Sequence, residues 1–191
     1  MSLRQSGVLS AVLLLLSFNA VAVTIDFQSL EHNDASQSTH GPSYTEDGFT
    51  ISGELASYGT LSTFYKGSTS VSFLLQGVDG ILTANNGGAF SLSSIDLVEV
   101  NSGTPYATIT FTGASVTLGT VTQSFQLDGN PGFQTFDFTV PGFDDVTSVS
   151  WQNNPLFHEF DNIVVSQVPL PAAVWLFTSG LLGLIGVSRR S

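Results

Sequence analysis

The sequence predicts an all-β protein, an antiparallel β-sandwich (jelly roll) flanked by an N-terminal signal-peptide helix and a C-terminal transmembrane helix. Between residues 23 and 167, short alternating segments rich in Thr, Val, Ile and Phe are separated by clusters of Gly, Asn, Asp and Pro. No stretch of this body shows the 3.6-residue apolar period of an amphipathic helix. About ten to twelve strands at spacings of roughly 8–12 residues are typical of a two-sheet sandwich.

Residues 1–22 have the three parts of a secretory signal. Arg4 supplies the positive start, residues 8–16 form the apolar centre, and Ala20 and Ala22 form a small-x-small cleavage site. We therefore predict export through the Sec translocon and cleavage by signal peptidase after Ala22. The alternative is an uncleaved anchor helix.

The first half of the body opens with a predicted strand over residues 23–27. Residues 31–43 form a polar loop that is too hydrophilic for the core, and residues 44–52 form the next strand, with a bend at Asp47-Gly48. Asn86-Gly87 is the strongest hairpin signal, because a type I′ turn needs positive φ at both central positions and Asn and Gly tolerate it.

The second half contains a long predicted strand over residues 89–100. Its apolar positions change parity at Ser93-Ser94, which indicates a β-bulge or a bend between sheets. Residues 107–112 alternate most regularly, with Ala, Ile and Phe on one face and Thr on the other. Trp151 is predicted to be in the core, and residues 160–165 form the last strand.

The body is strongly acidic. All fifteen acidic residues of the chain lie in residues 23–167, together with one basic residue, Lys66, so the formal charge of the body is −14. Such a domain repels phosphate backbones, which excludes nucleic acid as a partner. The chain has no cysteine, so its stability must come from burial of a core and not from disulfides.

Residues 168–191 form the predicted C-terminal segment, with an apolar run over residues 172–187. As a helix this run would rise roughly 24 Å, and with the two preceding residues it approaches the about 20 residues that a bilayer needs. Arg189 and Arg190 follow this run. Positive residues that flank a membrane span are kept on the cytoplasmic side, so we expect this end of the helix to face the cytoplasm.

A Pro-x-Pro box, Pro169-Leu170-Pro171, precedes the apolar run. With this box, the run and the basic end, the tail resembles the PEP-CTERM sorting signal of Gram-negative, biofilm-forming bacteria. The resemblance implies that an exosortase-like membrane enzyme cleaves near the proline box and passes the body from the inner membrane to the cell surface or extracellular matrix. Leu170 departs from the family pattern, which usually has an acidic residue there. The alternative is that the helix persists as a membrane anchor. The matching features are a Pro-x-Pro box, an apolar helix and a basic end: Val168, Pro169, Leu170, Pro171, residues 172–187, Arg189 and Arg190.

The body is similar to the cargo domains of that family and, in architecture, to the jelly rolls of carbohydrate-binding modules. Residues 160–165 (Phe-Asp-Asn-Ile-Val-Val) resemble the last strand with which those cargo domains usually end. Residues 25–27 and residues 44–49 together resemble the part with which such domains usually begin.

Three carboxylates are candidate ligands for a structural calcium ion. Glu159 and Asp161 lie two residues apart on a strand and therefore point to one face. The first and last strands of jelly rolls often lie near one another, which would add Asp26. Calcium takes its oxygen ligands from carboxylates and carbonyls. The alternative is that these carboxylates are solvated or hydrogen-bonded and hold no metal.

Catalysis has little support in the sequence. There is no cysteine nucleophile and no Gly-x-Ser-x-Gly motif. His32, His40 and His158 lack zinc-site spacing and are predicted to be ordinary surface or loop histidines. A polysaccharide hydrolase using Glu159 and Asp161 as paired acids is retained as an alternative.

Sugar binding would use exposed aromatic rings, and Tyr58, Tyr65 and Tyr106 are the candidates. The leading functional prediction is an exported, non-catalytic component of the cell surface or extracellular matrix. The first alternative is a carbohydrate-binding module that attaches to exopolysaccharide.

Overall fold

The computed structural model describes residues 21–100, 107–153 and 157–168. Over these ranges the chain is all β, with eleven strands and one short 3-10 turn, Gln28–Leu30. The strands are β1 Ala22–Ile25, β2 Gln37–Glu46, β3 Phe49–Tyr58, β4 Val71–Phe73, β5 Asp79–Ala84, β6 Phe90–Glu99, β7 Thr108–Ser115, β8 Gly119–Gln126, β9 Gln134–Asp137, β10 Val146–Gln152 and β11 His158–Gln167.

The strands form two antiparallel layers. One layer has the order β8-β7-β10-β5-β3-β2, and the other is β9-β6-β11 with β1 and β4 along the far edge of β11. The layers join at two corners. Val146 of β10 pairs with Phe90 of β6, and β3 pairs first with β5 and then with β4. The prediction of an all-β, antiparallel sandwich is therefore confirmed for the described residues.

Aromatic side chains fill the space between the layers. Trp151 of β10 and Phe160 of β11 meet edge to face with ring centroids 5.1 Å apart, and Phe49 of β3 meets Phe90 of β6 at 5.4 Å. All four side chains are buried. Since burying one such ring contributes about 1.5–3 kcal/mol, these contacts hold the layers together. The core position predicted for Trp151 is confirmed.

The tight hairpin lies at Asp47-Gly48 and not at Asn86-Gly87. Asp47 and Gly48 have φ of 47° and 82° and join the paired strands β2 and β3, as a type I′ turn requires. Of the other pair only Gly87 has positive φ. The prediction of a hairpin there is wrong because β5 and β6 belong to different layers, so this turn carries the chain across the sandwich.

Strands β2 and β6 bear on two further predictions. Residues 37–43 of the predicted polar loop belong to strand β2, whose hydrophilic character reflects its position at a sheet edge and not a loop. The bulge predicted at Ser93-Ser94 is confirmed, because the register of β6 against β11 shifts there.

The terminal predictions lie mostly outside the described residues. Residues 1–20, including Ala20 of the cleavage site, and Pro169, Leu170, Pro171, Arg189 and Arg190 of the tail are among those not described. Ala22 begins β1 and Val168 follows β11. In the part of the chain that is described, no helix has the length and apolar character needed to cross a membrane.

Candidate functional site

The connection between β3 and β4, residues 59–70, is the element that builds the site, and we call it the strap. Its first part is fastened to residues 32–36 by backbone N–H groups of Gly59, Thr60 and Leu61, which donate to carbonyl oxygens at 2.9–3.0 Å. Gly59 is required there, because a Cβ would lie 2.3 Å from the carbonyl oxygen of Asp34. The strap therefore has a defined course.

An open groove of about 490 Å³ lies between the strap and the ends of β2 and β3. The rings of Tyr58 and Phe64 meet on one side with centroids 5.2 Å apart and planes inclined at 44°. Leu61 is 66 % exposed and Phe64 39 %, so apolar surface is presented to solvent. The groove is lined by Ala35, Gln37, Tyr58, Leu61, Ser62, Thr63 and Phe64.

The groove combines apolar surface with neutral hydrogen-bonding groups. The Gln37 amide donates to the Tyr58 hydroxyl at 3.2 Å, and the Ser62 hydroxyl accepts from the Phe64 N–H at 3.2 Å. Burial, and then the charge of Glu159, raise the pKa of Tyr58, so its phenol keeps its proton. Concave apolar surface with a few fixed polar groups is typical of sites for small organic ligands.

Beneath the far end of the strap lie Glu159 and Asp161, on the same face of β11. Their residues are 1 % and 0 % exposed. The Ser70 hydroxyl donates to Glu159 Oε2, and the Ser68 hydroxyl donates to Asp161 Oδ2 at 2.5 Å. Asp161 Oδ1 also accepts the backbone N–H of Asn162 at 2.8 Å. Two serines of the strap thus cover two carboxyl groups of the sheet.

Burial raises the pKa of both carboxyl groups, that of Glu159 to about 7 and that of Asp161 to about 6. Desolvation is the largest cause, because the charged form loses its water. The charge of Lys66 lowers the pKa of Glu159 in part, but the Lys66 ammonium donates to the carbonyl oxygen of Val100 at 3.0 Å. Near neutral pH the two carboxyl groups are therefore close to the point at which they gain or lose a proton.

The structure does not gather the predicted calcium ligands into one site. Strands β1 and β11 are neighbours, as expected, with Ile25 opposite Ile163. Asp26 nevertheless turns to its own chain and accepts the Gln28 N–H at 3.1 Å, while Glu159 and Asp161 hold serines of the strap. Across residues 21–100, 107–153 and 157–168, no group of three His, Cys, Asp or Glu side chains is placed to hold a metal ion.

Of the three candidate tyrosines, one lies in the groove. Tyr58 lines it. Tyr65 belongs to the strap and lies near the covered acids, since burial and the charges of Glu31 and Asp161 raise its pKa. Tyr106 is outside the described residues. Sequence reasoning missed Phe64, whose signal is an aromatic residue in a Gly-, Ser- and Thr-rich connection.

The paired acids and the histidines named from the sequence can be located in the described residues. Glu159 and Asp161 lie under the strap and not across a cleft. His40 Nε2 lies 2.7 Å from the Ser57 hydroxyl, but Ser57 is 1 % exposed. The expectation that His158 is a surface or loop residue is wrong, because it is fully buried at the start of β11 with its ring 6.4 Å from that of Phe160.

Comparisons with known proteins return structures but no family. No protein-family model matches the chain, and no curated protein matches it. Among solved structures the chain is similar to a family 29 carbohydrate-binding module, with 14 % identity over 78 % of this chain and 90 % of that one and a TM-score of 0.40. A variant of the family 29 module CBM29-2 shows 15 % identity over 78 % of this chain and 93 % of that one, with a TM-score of 0.36.

A third similar structure contains the CBM22-1 and GH10 modules of a Clostridium thermocellum xylanase complexed with xylohexaose. The identity is 14 %, the TM-score is 0.40, and the match covers 79 % of this chain and 29 % of that one. At these values the similarities assign neither a fold family nor a ligand to the chain.

Proposed function

We propose that this protein is a non-catalytic glycan-binding module that holds a neutral polysaccharide in the groove beside the strap. The observation that carries the proposal is the pair of rings formed by half-buried Tyr58 and exposed Phe64, beside Gln37 and the hydroxyls of Ser62 and Thr63 in one open groove. Pyranose rings have apolar C–H faces and hydroxyl edges. They therefore match a surface that offers both aromatic faces and neutral hydrogen-bonding groups.

Charge favours a neutral glycan over an anionic one. No acidic or basic side chain lines the groove, and the nearest charge along the chain is Asp34, next to Ala35. Hydrogen bonds from Ser36 lower the pKa of Asp34, so it is ionised at neutral pH. The ammonium of Lys66 is engaged with Val100. A polymer of uronic acids or sulfated sugars would be repelled by a body of formal charge −14.

A second groove is the competing location for a bound glycan, and variants in it test whether the first groove is the binding site. It is about 300 Å³ in volume and lies on the outer face of β5, β7 and β10. It offers hydroxyl and amide groups, while its one aromatic residue, Trp151, is 2 % exposed. Without an accessible ring it lacks the stacking surface of the first groove. The residues lining it are Asp79, Thr108, Thr110, Thr112, Ser150, Trp151 and Gln152.

The proposal is tested by calorimetry and affinity electrophoresis on residues 23–168 and on the full chain. The panel contains neutral glucans, mannans and xylans, an alginate as anionic polymer, and the exopolysaccharide of the native host. Tyr58→Ala and Phe64→Ala should each weaken binding to a neutral glycan at least tenfold, which corresponds to about 1.4 kcal/mol. Leu118→Ala, at a site 58 % exposed and outside the groove, is the matched control.

Three results would count against this function. Retention by no polysaccharide would overturn it, and so would unchanged affinity in both ring variants. Loss of binding in Thr110→Val with both ring variants unaffected would move the site to the second groove. Stronger binding of alginate than of any neutral glycan would refute the neutral class.

The delivery of this module is a separate part of the proposal, supported by the sequence. The body is exported by the Sec route, cut after Ala22, and sorted to the cell surface or matrix through the box at Val168, Pro169, Leu170 and Pro171. We also place the sandwich in the jelly-roll class. Mass spectrometry of the protein from its native host tests the route: a mature chain should start at Val23 and lack the tail. A C-terminus at Ser191 would argue against cleavage by an exosortase-like enzyme.

A further inference from the structure

Strand β8 lies at a free edge of the sandwich. It ends the layer β8-β7-β10-β5-β3-β2 and, among the described strands, pairs with β7 alone, in one unbroken register from Gly119 to Gln126. An unpaired strand edge presents a row of backbone N–H and C=O groups with which another strand can pair. Natural proteins usually blunt such edges with charges, proline, bulges or short length. Strand β8 has none of these features.

The other edges of the described sheet carry the protection that β8 lacks. Strand β2, at the opposite end of the same layer, contains Pro42 and has two register shifts against β3. Strands β1, β4 and β9, which border the other layer, are three or four residues long. The edge of β8 is therefore the one at which an added strand meets the least opposition.

The backbone of β8 directs alternate residues to β7 and to the free edge. The Leu127 N–H, just after β8, donates to the carbonyl oxygen of Ala107, just before β7, at 2.9 Å. Odd-numbered residues of the strand therefore direct their N–H and C=O groups to β7, and even-numbered residues direct theirs outward. The outward residues include Thr120, Thr122 and Ser124. Among the described residues, no backbone hydrogen bond from another element reaches these three.

The segment after β9 closes the core beneath β8 without occupying this edge. The Gln123 side chain, on the same face as buried Phe125, donates to the carbonyl oxygen of Asp137 at 2.9 Å. It also accepts the N–H groups of Thr139 and Val140 at 3.0 and 2.9 Å. These bonds involve the side chain of Gln123 and none of the outward backbone groups of β8. Val140 is 37 % exposed, so apolar surface lies next to the edge.

The hairpin formed by β7 and β8 is uncharged in a strongly acidic body. Residues 100–127 contain no acidic or basic residue and no histidine, whereas the body over residues 23–167 has a formal charge of −14. Two copies of such a body repel each other over most of their surface. They meet the least repulsion along this hairpin, while an edge without carboxylates offers a basic peptide no ion pair. Charge therefore favours a second copy as the partner of this edge.

We propose that two copies of this chain pair through β8, antiparallel and about a two-fold axis at Thr122, so that the layer continues from one copy into the other. A two-fold contact requires one surface to match itself. In this register Thr122 faces Thr122 and Thr120 faces Ser124, and each pair exchanges two backbone hydrogen bonds. Thr–Thr and Thr–Ser are favourable cross-strand neighbours. The sheet already contains such a pair, Thr110 with Ser124, whose hydroxyls are 2.8 Å apart.

The paired form would carry a groove at each end of one continuous layer. The groove lies at the ends of β2 and β3, and β2 is at the opposite end of the layer from β8. A polysaccharide long enough to occupy both grooves would bind with greater avidity than to one copy. This consequence rests on the proposed function, whereas the pairing of the two strands does not.

Disulfide trapping tests the pairing in the full chain, which has no cysteine of its own. At the axis of a hydrogen-bonded pair the two Cα atoms lie about 5.5 Å apart, which a disulfide spans. On oxidation in detergent, Thr122→Cys should form a covalent dimer at least tenfold faster than the control Thr108→Cys, which replaces an exposed threonine of β7. Thr120→Cys and Ser124→Cys should cross-link when mixed and not separately. Equal rates for Thr122→Cys and Thr108→Cys overturn the proposal, and so does separate cross-linking of Thr120→Cys and Ser124→Cys at the rate of the mixture.

Sedimentation equilibrium of the detergent-solubilised full chain provides a test without cysteine. Thr122→Lys places two ammonium groups opposite each other at the axis, which opposes pairing. It should weaken self-association at least tenfold relative to Thr108→Lys, which makes the same change in net charge one strand away. Equal self-association of the two variants overturns the proposal. A natural chain that stays monomeric also overturns it and assigns the edge to a strand of a different protein. Paired chains that no polysaccharide retains would refute the proposed function and support this interface.

Discussion

Replacing Glu159 by Gln should change how the stability of the whole domain depends on pH. The carboxyl group is 1 % exposed and accepts the Ser70 hydroxyl. A glutamine has the same shape as the protonated acid and keeps an oxygen that can accept this hydrogen bond. The substitution therefore removes a titration while leaving the packing almost unchanged.

The size of the effect follows from the pKa of Glu159, which burial raises from 4.5 to about 7. The folded protein then holds a proton that the unfolded chain releases between these values. Its contribution to stability is complete below about pH 4.5 and is lost as pH rises through about 7. At about 1.4 kcal/mol per pKa unit, the loss is roughly 3 kcal/mol. Asp161, whose pKa is raised to about 6, adds a fall of the same sign.

Urea unfolding of residues 23–168 at pH values from 4.5 to 8 measures this difference. The free energy of unfolding of the natural sequence should fall with rising pH, and the fall in Glu159→Gln should be smaller by roughly 3 kcal/mol. Glu54→Gln serves as the matched control on an exposed carboxylate and should follow the natural protein within about 0.5 kcal/mol. Parallel curves for the natural protein and Glu159→Gln would refute the reasoning, because Glu159 would then not be held neutral by burial.

Three further predictions concern packing and acid stability. Gly80→Ala should destabilise the domain by about 1–3 kcal/mol in urea unfolding, because a Cβ there lies 1.7 Å from Phe73 Cζ. Gly88→Ala is the control, because a Cβ at position 88 would approach only the Asn86 side chain, at 3.1 Å. A loss of unfolding free energy as large as that of Gly80→Ala would contradict this account. Phe111→Ala should lower the free energy of unfolding by about 3–5 kcal/mol, since the ring is fully buried; a loss below about 1 kcal/mol would contradict its core position. Hydrogen bonds from Ser115 and Thr117 lower the pKa of Asp145, so its contribution to stability is present above about pH 4 and is lost as pH falls. Thermal melting at pH 2.5–5 should therefore show a weaker acid dependence in Asp145→Asn, and an unchanged dependence would refute it.

The faces of the strands could be predicted from the sequence because side-chain alternation is a local property. Ile109 and Phe111 are buried while Thr108 and Thr110 are exposed, as the regular pattern over residues 107–112 indicates. The bulge on β6 was equally visible, because a change of parity within one strand leaves few other geometries.

Turn chemistry predicted local conformation but not which strands pair. Asp47-Gly48 and Asn86-Gly87 are similar as dipeptides, yet the first closes a hairpin and the second crosses between the layers. The difference lies in the partners of the flanking strands. β5 pairs with β3 and β10, and β6 pairs with β9 and β11. These contacts are remote in sequence, so no local pattern encodes them.

The candidate site was likewise predictable only in part. Tyr58 could be proposed as a stacking residue because Tyr is suited to sugar contact, but Phe64 and Gln37 join it only through the course of the strap. Glu159 and Asp161 could be placed on one face of a strand, and from the sequence they were taken as candidate metal ligands or hydrolase acids. Their burial depends on residues 59–70 crossing above them, about ninety positions earlier in the chain.

The sequence by itself therefore determined an acidic, cysteine-free β domain and the inward and outward faces of its strands, and it supplied the residue patterns from which two terminal signals are predicted. These properties depend on composition and on neighbours a few residues apart. Only the tertiary structure decided that the β3–β4 connection forms a groove with β2 and covers two carboxyl groups of β11. That arrangement requires long-range strand pairing, and burial changes the chemistry of a carboxyl group by removing its water.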